Sequence, residues 1–354
     1  MKTSRKIIIS IFIVAVLWLF SFLVKPVLMT YVFAFFGSAL VGWILINPYM
    51  KLMRWMGITG RDVHKKDDKE IPEMGGIVVI ASFIFGLLIY TSLMTFVIKN
   101  INYHTEIFAV ALSILSVALV GLFDDMIRKM GAKKGLKQWQ KPLMSLVAAI
   151  PLVAISAGQS IMAVPIFGVI NFGILFPLVI IPLIVIFVSN AINLLAGFNG
   201  LEAGMTLVAC ISMGIYGFVY NVPVVVAIMA SICGAIIIFL LYNKYPAKIF
   251  PGDSFTYGVG ATIAATMIVG NMERFGMIIL IPWVIEFFLK LSSKFKSECY
   301  GKLNEDGTLS CSEKRVGSLT HVVMKIGRFK EWQVSLILVL FEIVICLFAF
   351  MVSL

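Results

Sequence analysis

Pro223-Val-Val-Val-Ala-Ile-Met-Ala-Ser-Ile-Cys-Gly-Ala-Ile-Ile-Ile-Phe-Leu-Leu-Tyr242 is a run of twenty residues without a charge. As an α-helix, twenty residues rise about 30 Å, the thickness of a bilayer's hydrocarbon. The run is continuously apolar rather than alternating, so it reads as a membrane-spanning helix and not as a barrel strand. Outward from it the same texture recurs over 7–24, 28–49, 74–98, 106–123, 142–158, 172–189, 203–220, 255–271, 275–292 and 332–353. Of the 354 residues, 60% are apolar and 13% charged, against about 45–50% and about 25% in soluble domains. Only a bilayer can hide that excess. The fold class is an all-α polytopic membrane protein of about eleven transmembrane helices, with surrounding lipid as a partner. A β-barrel, a disordered chain, a disulfide scaffold and a water-soluble nucleic-acid binder are excluded.

Charge sets the orientation. With the N-terminus inside, 26 of the 29 Lys and Arg fall on inner segments, and only Lys25, Lys99 and Arg274 fall outside. That asymmetry is what the positive-inside rule predicts. The net charge of +11 is thus topology and affinity for anions, with no nucleic acid as partner. The basic start Met1 to Lys6 also fits a signal peptide, but the apolar run after it is long and no small-x-small cleavage site precedes Lys25. A retained helix is the expectation. Outer loops such as 159–171 carry little polar chemistry, so function belongs to the cytoplasmic face.

Four inner segments place polar residues against span ends. These are Gly60 to Lys66 with Ile71-Pro72-Glu73-Met74-Gly75-Gly76; Asp124-Asp125 with Lys141-Pro142; Asn190 to Gly200; and Phe250-Pro251-Gly252-Asp253-Ser254. Asp124 and Asp125 end an apolar helix whose C-terminus already carries partial negative charge, so they call for a cation. Arg128 and Lys129 supply it on the bland reading; a metal supplies it on the other. Asp253 adds a third carboxylate, and carboxylates with amide oxygens are hard ligands suited to Mg²⁺. Asn190 and Asn193, spaced i, i+3, share one helix face. They either join helices by hydrogen bonds or face a ligand, and Gly197 and Gly200 favour the second by allowing close backbone approach.

Other polar residues read more plainly. Gly75-Gly76 packs helices tightly on the simplest reading. Glu286 and Glu342 lie in or near spans as functional or paired structural groups. His64, His104 and His321 form no metal-like cluster by spacing, and a lone loop histidine such as His64 is expected in solvent. Cys299 and Cys311 lack enough partners for zinc. Gly301 to Leu309 surrounds an Asp-Gly signal and reads as a small hairpin. Taken together, the inner cations, three aspartates and clustered amides favour a polyanion with a divalent metal. At a membrane boundary this describes an enzyme moving a phosphoryl-linked group from a soluble nucleotide to a lipid phosphate.

Asn190-Ala-Ile-Asn-Leu-Leu-Ala-Gly-Phe-Asn-Gly-Leu-Glu-Ala-Gly204 resembles the signature of the polyprenyl-phosphate N-acetylhexosamine-1-phosphate transferases. Ile71-Pro72-Glu73, Asp124-Asp125, Pro246 to Phe255 and Ser318-Leu319-Thr320 occur in the expected order and resemble the eukaryotic and archaeal branch, the UDP-GlcNAc–dolichyl-phosphate GlcNAc-1-phosphate transferases. The resemblance implies a ten-helix core over 26–354, including a cytoplasmic loop 293–330, with 1–25 as an added helix. It implies Mg²⁺, with Mn²⁺ as a substitute ion, on Asn193 and Asp253. It puts a uracil ring between Gly197 and Phe250, its edge on Asn199 and the Val63 backbone, with Glu73 near the ribose. Asp124, Asp125 and Lys141 would meet the lipid phosphate.

The implied reaction joins UDP-GlcNAc and a dolichyl or polyprenyl phosphate on the cytoplasmic face of a prokaryotic, archaeal-type cell membrane, releasing UMP. Direct attack by the acceptor phosphate is expected over an aspartyl intermediate, since the phosphate is already an anionic nucleophile. A homodimer is compatible with this reading. One departure stands out. The branch's Pro-x-x-Arg-His-Arg-type stretch is absent from Phe295 to Lys302, leaving Lys296 and Lys302 as unassigned cations and the sugar as the loosest expectation. Another UDP-hexosamine is the nearest alternative, and a nucleotide-sugar or organic-anion transporter is the alternative from another class.

Overall fold

The computed structural model describes residues 26–65, 69–129, 135–137, 139–164, 168–311, 313 and 315–353. The expected first span lies outside them. The helices are α1 (Pro26–Trp55), α2 (Gly76–Leu93), α3 (His104–Lys129), α4 (Gln140–Ser145), α5 (Ile150–Ala154), α6 (Ile181–Leu194), α7 (Leu201–Val219), α8 (Pro223–Asn243), α9 (Asp253–Val269), α10 (Glu273–Ile279), α11 (Ile281–Ser292), α12 (Leu319–Ile326) and α13 (Glu331–Ser353). Among the described residues, seven helices are long and apolar enough to cross a membrane, α6 being counted with the π turn Phe176–Ile180 that precedes it, or eight if α10 and α11, bent by 58°, count as one. The chain is an all-α membrane protein.

Two expected spans take shorter forms. The stretch 142–158 folds as α4, a 3₁₀ turn Leu146–Ala149 and α5, a broken apolar run ending at Ala154. Pro151 has no N–H to give to an unbroken helix there. The stretch 255–271 is α9, 17 residues long and buried at every position. Its Gly258, Gly260, Ala261, Ala264 and Ala265 let α2, α3 and α6 close around it. Its threonines return their hydroxyls to the helix, Thr262 Oγ1 to the Gly258 carbonyl at 2.8 Å and Thr266 Oγ1 to the Thr262 carbonyl at 2.7 Å. Polar groups are thereby satisfied without water.

The closeness is measurable at Gly260, where a Cβ would lie 2.7 Å from the Ser189 Cα on α6. Gly260→Val is expected to lower stability by about 2 kcal/mol through overpacking, seen as a reduced melting temperature in detergent; an unchanged melt would refute this packing. Among the described residues there are three short antiparallel ribbons: β1 (Thr59–Arg61) with β2 (Glu70–Pro72), β3 (Ile161–Val164) with β4 (Gly168–Asn171), and β5 (Lys302–Leu303) with β6 (Leu309–Ser310). The last is the expected hairpin, with Gly307 at φ +78° in its turn. The alternating chain direction gathers the ends of α3, α6 and α8 and the starts of α2, α4, α7 and α9 around one cavity.

Candidate active site

Backbone hydrogen bonds pin the turn before α9. The Phe250 N–H donates to the Pro72 carbonyl at 2.8 Å, while the Gly75 and Gly76 amides donate to the Phe250 and Pro251 carbonyls at 2.9 and 2.8 Å. Gly252 sits at φ +71° and ψ 171°, a region open essentially to glycine. A Cβ on it would lie 2.6 Å from Asp125 Oδ2. The Asp253 amide therefore donates to Asp125 Oδ2 at 2.9 Å, and α9 begins against the acidic pair.

Around Asp253 the charges interlock. Its Oδ1 accepts from Asn193 Nδ2 at 2.9 Å and lies 3.4 Å from Arg128 Nη2. Its Oδ2 is 3.2 Å from Lys141 Nζ. Lys141 also reaches Asp124 Oδ2 at 2.6 Å, and Arg128 pairs with Asp125. Three carboxylates thus share two cations beside an amide whose oxygen can turn toward a metal. That donor set, all hard oxygen, fits Mg²⁺ with waters and phosphate completing the shell. The bland reading holds in half: Arg128 serves the acidic pair, but Lys129 pairs instead with Glu73 at 2.9 Å.

The cavity holds about 470 Å³. Val63, Glu73, Asp125, Lys141, Asn193, Gly197, Asn199, Phe250 and Asp253 line it. Asp124 stands behind, fully buried, and steadies Lys141. Asn190 turns away: its Nδ2 donates to Ser145 Oγ at 3.2 Å and the Ile186 carbonyl at 2.8 Å, so the helix-joining reading is right for it. Gly197, at φ +112°, ends the helical path after α6 and offers its amide to Glu202 Oε1 at 2.7 Å. The Tyr300 ring fills the space where a side chain at 197 would project.

Arg61, Asp62, Arg128, Glu202, Glu298 and Tyr300 also line the cavity. Sequence reading gave no cavity role to these six. Arg128 was visible only as a counter-ion; Asp62 and Tyr300 sit inside quoted stretches but need folding to meet Asn199 and Gly197. Neither Lys296 nor Lys302 reaches the wall; among the described residues, loop 293–330 contributes Glu298 and Tyr300 to it. Burial pushes the Asp62 carboxyl up, but hydrogen bonds from Lys65, Asn199 and the His64 amide outweigh it and hold the group below its ordinary value. Burial, with Glu202 nearby, pushes the Tyr300 hydroxyl up to about 12, so it is a neutral donor at pH 7.

His64 corrects the expectation of a solvated ring. It is 4% exposed, packs against Phe198 with centroids 4.6 Å apart, and accepts the Gly301 amide on Nε2 at 3.2 Å. With that nitrogen accepting, Nδ1 carries the proton and faces Glu331 Oε1 at 3.7 Å. Asp62, His64 and Glu331 approach within metal-binding reach of one another; Nδ1 of His64 presents a proton rather than a lone pair, and at 3.7 Å from Glu331 it makes no hydrogen bond. Glu286 is structural: its Oε2 accepts the Leu319 amide at 2.7 Å and Ser318 Oγ at 3.1 Å, which caps α12 and explains the Ser-Leu-Thr motif.

The family model described as glycosyl transferase family 4 matches residues 107–271. A Saccharolobus solfataricus protein provisionally named a UDP-N-acetylglucosamine–dolichyl-phosphate N-acetylglucosaminephosphotransferase is 41% identical over 281 residues, covering 79% of this chain and 83% of that protein. A Sulfolobus acidocaldarius protein of the same provisional name is 34% identical over 88% of this chain and 94% of its own length. The Dictyostelium discoideum protein bearing that name without qualification is 26% identical over 87% of this chain and 84% of its own length.

Proposed function

Taking as premise that this chain belongs to glycosyl transferase family 4, we propose that it transfers N-acetylglucosamine-1-phosphate from UDP-GlcNAc to a dolichyl or polyprenyl phosphate. UMP leaves, and GlcNAc-diphospho-lipid opens the assembly of a lipid-linked oligosaccharide. The observation that carries this reading is that nine residues from four separate inner segments line one cavity, with three carboxylates and two cations at its polar end. Inner-loop charge supports a cytoplasmic opening, and archaeal relatives support a prokaryotic cell membrane.

Asn193 and Asp253 would hold Mg²⁺, or Mn²⁺ in its place. When bound, the dication neutralises the donor diphosphate and so makes its phosphorus a better electrophile. The chain's own work is positioning. Gly197 and Phe250 flank the base, Asn199 and the Val63 backbone read its edge, and Glu73 lies toward the ribose. Lys141, steadied by Asp124, draws the acceptor phosphate to the polar end, and Arg128 adds positive charge beside it. An acceptor oxygen then attacks the donor's β-phosphorus, and the bond to UMP breaks. Alignment of two anions that otherwise repel is where most of the acceleration arises.

The test incubates purified protein with UDP-GlcNAc, UDP-GalNAc and other UDP-hexosamines, one polyprenyl phosphate and Mg²⁺, with mass detection of lipid product. GlcNAc-diphospho-lipid formed with matching UMP, dependent on both substrates and abolished by chelator, is the expected outcome. Preference for another hexosamine would revise the sugar. Uptake of intact UDP-sugar into sealed vesicles without covalent product would overturn the reading.

A further inference from the structure

Asp62 is 8% exposed, and each of its oxygens is engaged. Oδ1 accepts the His64 backbone N–H at 3.0 Å. Oδ2 accepts Asn199 Nδ2 at 2.9 Å and pairs with Lys65 Nζ at 2.8 Å. An ionised carboxylate can only accept, so the neighbouring amide must turn its NH₂ toward Asp62. Asn199 is also held through its backbone: its N–H donates to Glu331 Oε1 at 2.8 Å, and its carbonyl accepts Ser335 Oγ at 3.1 Å. Reversing the side-chain amide would set its carbonyl oxygen against a buried anion, a costly arrangement. Asn199 Oδ1, for which no protein donor is found among the described residues, is therefore the atom left for the cavity that Asp62 and Asn199 both line.

We propose that Asp62 is a specificity-determining positioning residue: by fixing the Asn199 amide it presents an acceptor that selects a pyrimidine with a ring N–H and rejects one with a ring lone pair. This deepens the uridine-nucleotide reading given above and rests on it. Uracil offers N3–H between two carbonyls; cytosine offers a bare N3 beside an amino group. Against the fixed oxygen the first forms a hydrogen bond, while the second sets two lone pairs face to face. Sites built around such a bond discriminate by several orders of magnitude. Asp62 touches no base itself and acts through Asn199.

Asp62→Asn makes the test sharp. The His64 N–H still demands an oxygen at the Oδ1 position, so the new NH₂ replaces Oδ2 and donates to Asn199. The Asn199 amide then turns over and shows its own NH₂ to the cavity, while Lys65, 17% exposed and 5.0 Å from the Tyr245 ring, gives up its contact with position 62 and keeps the ring as its partner. Affinities for UDP and CDP are to be measured by calorimetry on the full-length protein in detergent, for wild type, Asp62→Asn, and the reciprocal pair Asp62→Asn with Asn199→Asp. The wild type should favour UDP by about 10²-fold or more. In Asp62→Asn the UDP-to-CDP ratio should fall by about 10²-fold, with CDP gaining in absolute affinity. The reciprocal pair restores an acceptor at 199 and should recover the preference for UDP.

A structural role alone would weaken both nucleotides together and give no rescue, and that result overturns the proposal. If Asp62→Asn does not fold, the reciprocal pair decides through its own ratio: a UDP preference supports the proposal and equal binding overturns it. N3-methyl-UDP with wild type is the check free of mutation; binding as tight as UDP overturns the proposal. A wild type indifferent between UDP and CDP sinks the uridine reading itself. A wild type that prefers UDP, beside an unchanged ratio in Asp62→Asn, sinks only the role of Asp62.

Discussion

Asp253→Ala is expected to cut turnover by about 10³-fold or more, roughly 4 kcal/mol of transition-state stabilisation, while the protein still folds. The separation follows from who is left behind. Lys141 keeps Asp124 at 2.6 Å, Arg128 keeps Asp125, and Asn193 Nδ2 keeps Thr256 Oγ1 at 2.8 Å. No neighbour is stranded as a buried, unpaired charge, so the stability cost stays small. What disappears is the one carboxylate on which α3, α4, α6 and α9 converge. Asp253→Asn keeps the shape and removes the charge, and it should fall nearly as far. The measurement is UMP release from UDP-GlcNAc with a polyprenyl phosphate, beside a detergent melting curve. Turnover near the wild-type value in either variant would remove Asp253 from the metal site.

Much of this was legible before folding because membrane energetics act along the chain. An uninterrupted apolar run such as 223–242 has few fates, and α8 (Pro223–Asn243) occupies it almost to the residue. Polar residues at span ends are equally visible, since each demands a partner that lipid cannot give. That logic found Asp124, Asp125, Asn193 and Asp253 and brought them to one place. It failed where the answer depends on packing. Arg128 reads as a nearby counter-ion until α9 brings Asp253 within 3.4 Å. His64 reads as a loop residue until α13 brings Glu331 beneath it. Pro151 marks the break in the 142–158 run, but only its surroundings show that the helix stops short rather than kinks. Tyr300 sits in the stretch where a family cation was sought, and an aromatic ring against Gly197 carries no signature in sequence.

Lys141→Met should raise the KM for the lipid phosphate by about 10–100-fold and leave the KM for UDP-GlcNAc much closer to wild type. Methionine keeps most of the alkyl stem and removes only the ammonium, so lost packing is a small part of the effect. The ammonium lies 2.6 Å from Asp124 Oδ2 and 3.2 Å from Asp253 Oδ2, and Asp124 is fully buried with its other oxygen accepting the Leu136 amide at 2.5 Å. Without Lys141 that carboxylate stays buried with no cation, which costs stability; the site opens onto the cavity, so about 2 kcal/mol is expected rather than the full penalty of a sealed interior. Asp124→Asn in the Met background removes the stranded charge and should recover the melting temperature. It should not recover the acceptor KM, because no cation returns to meet the phosphate. Recovery of both would make Lys141 purely structural, and an equal rise in both KM values would move it from the acceptor phosphate to the donor diphosphate.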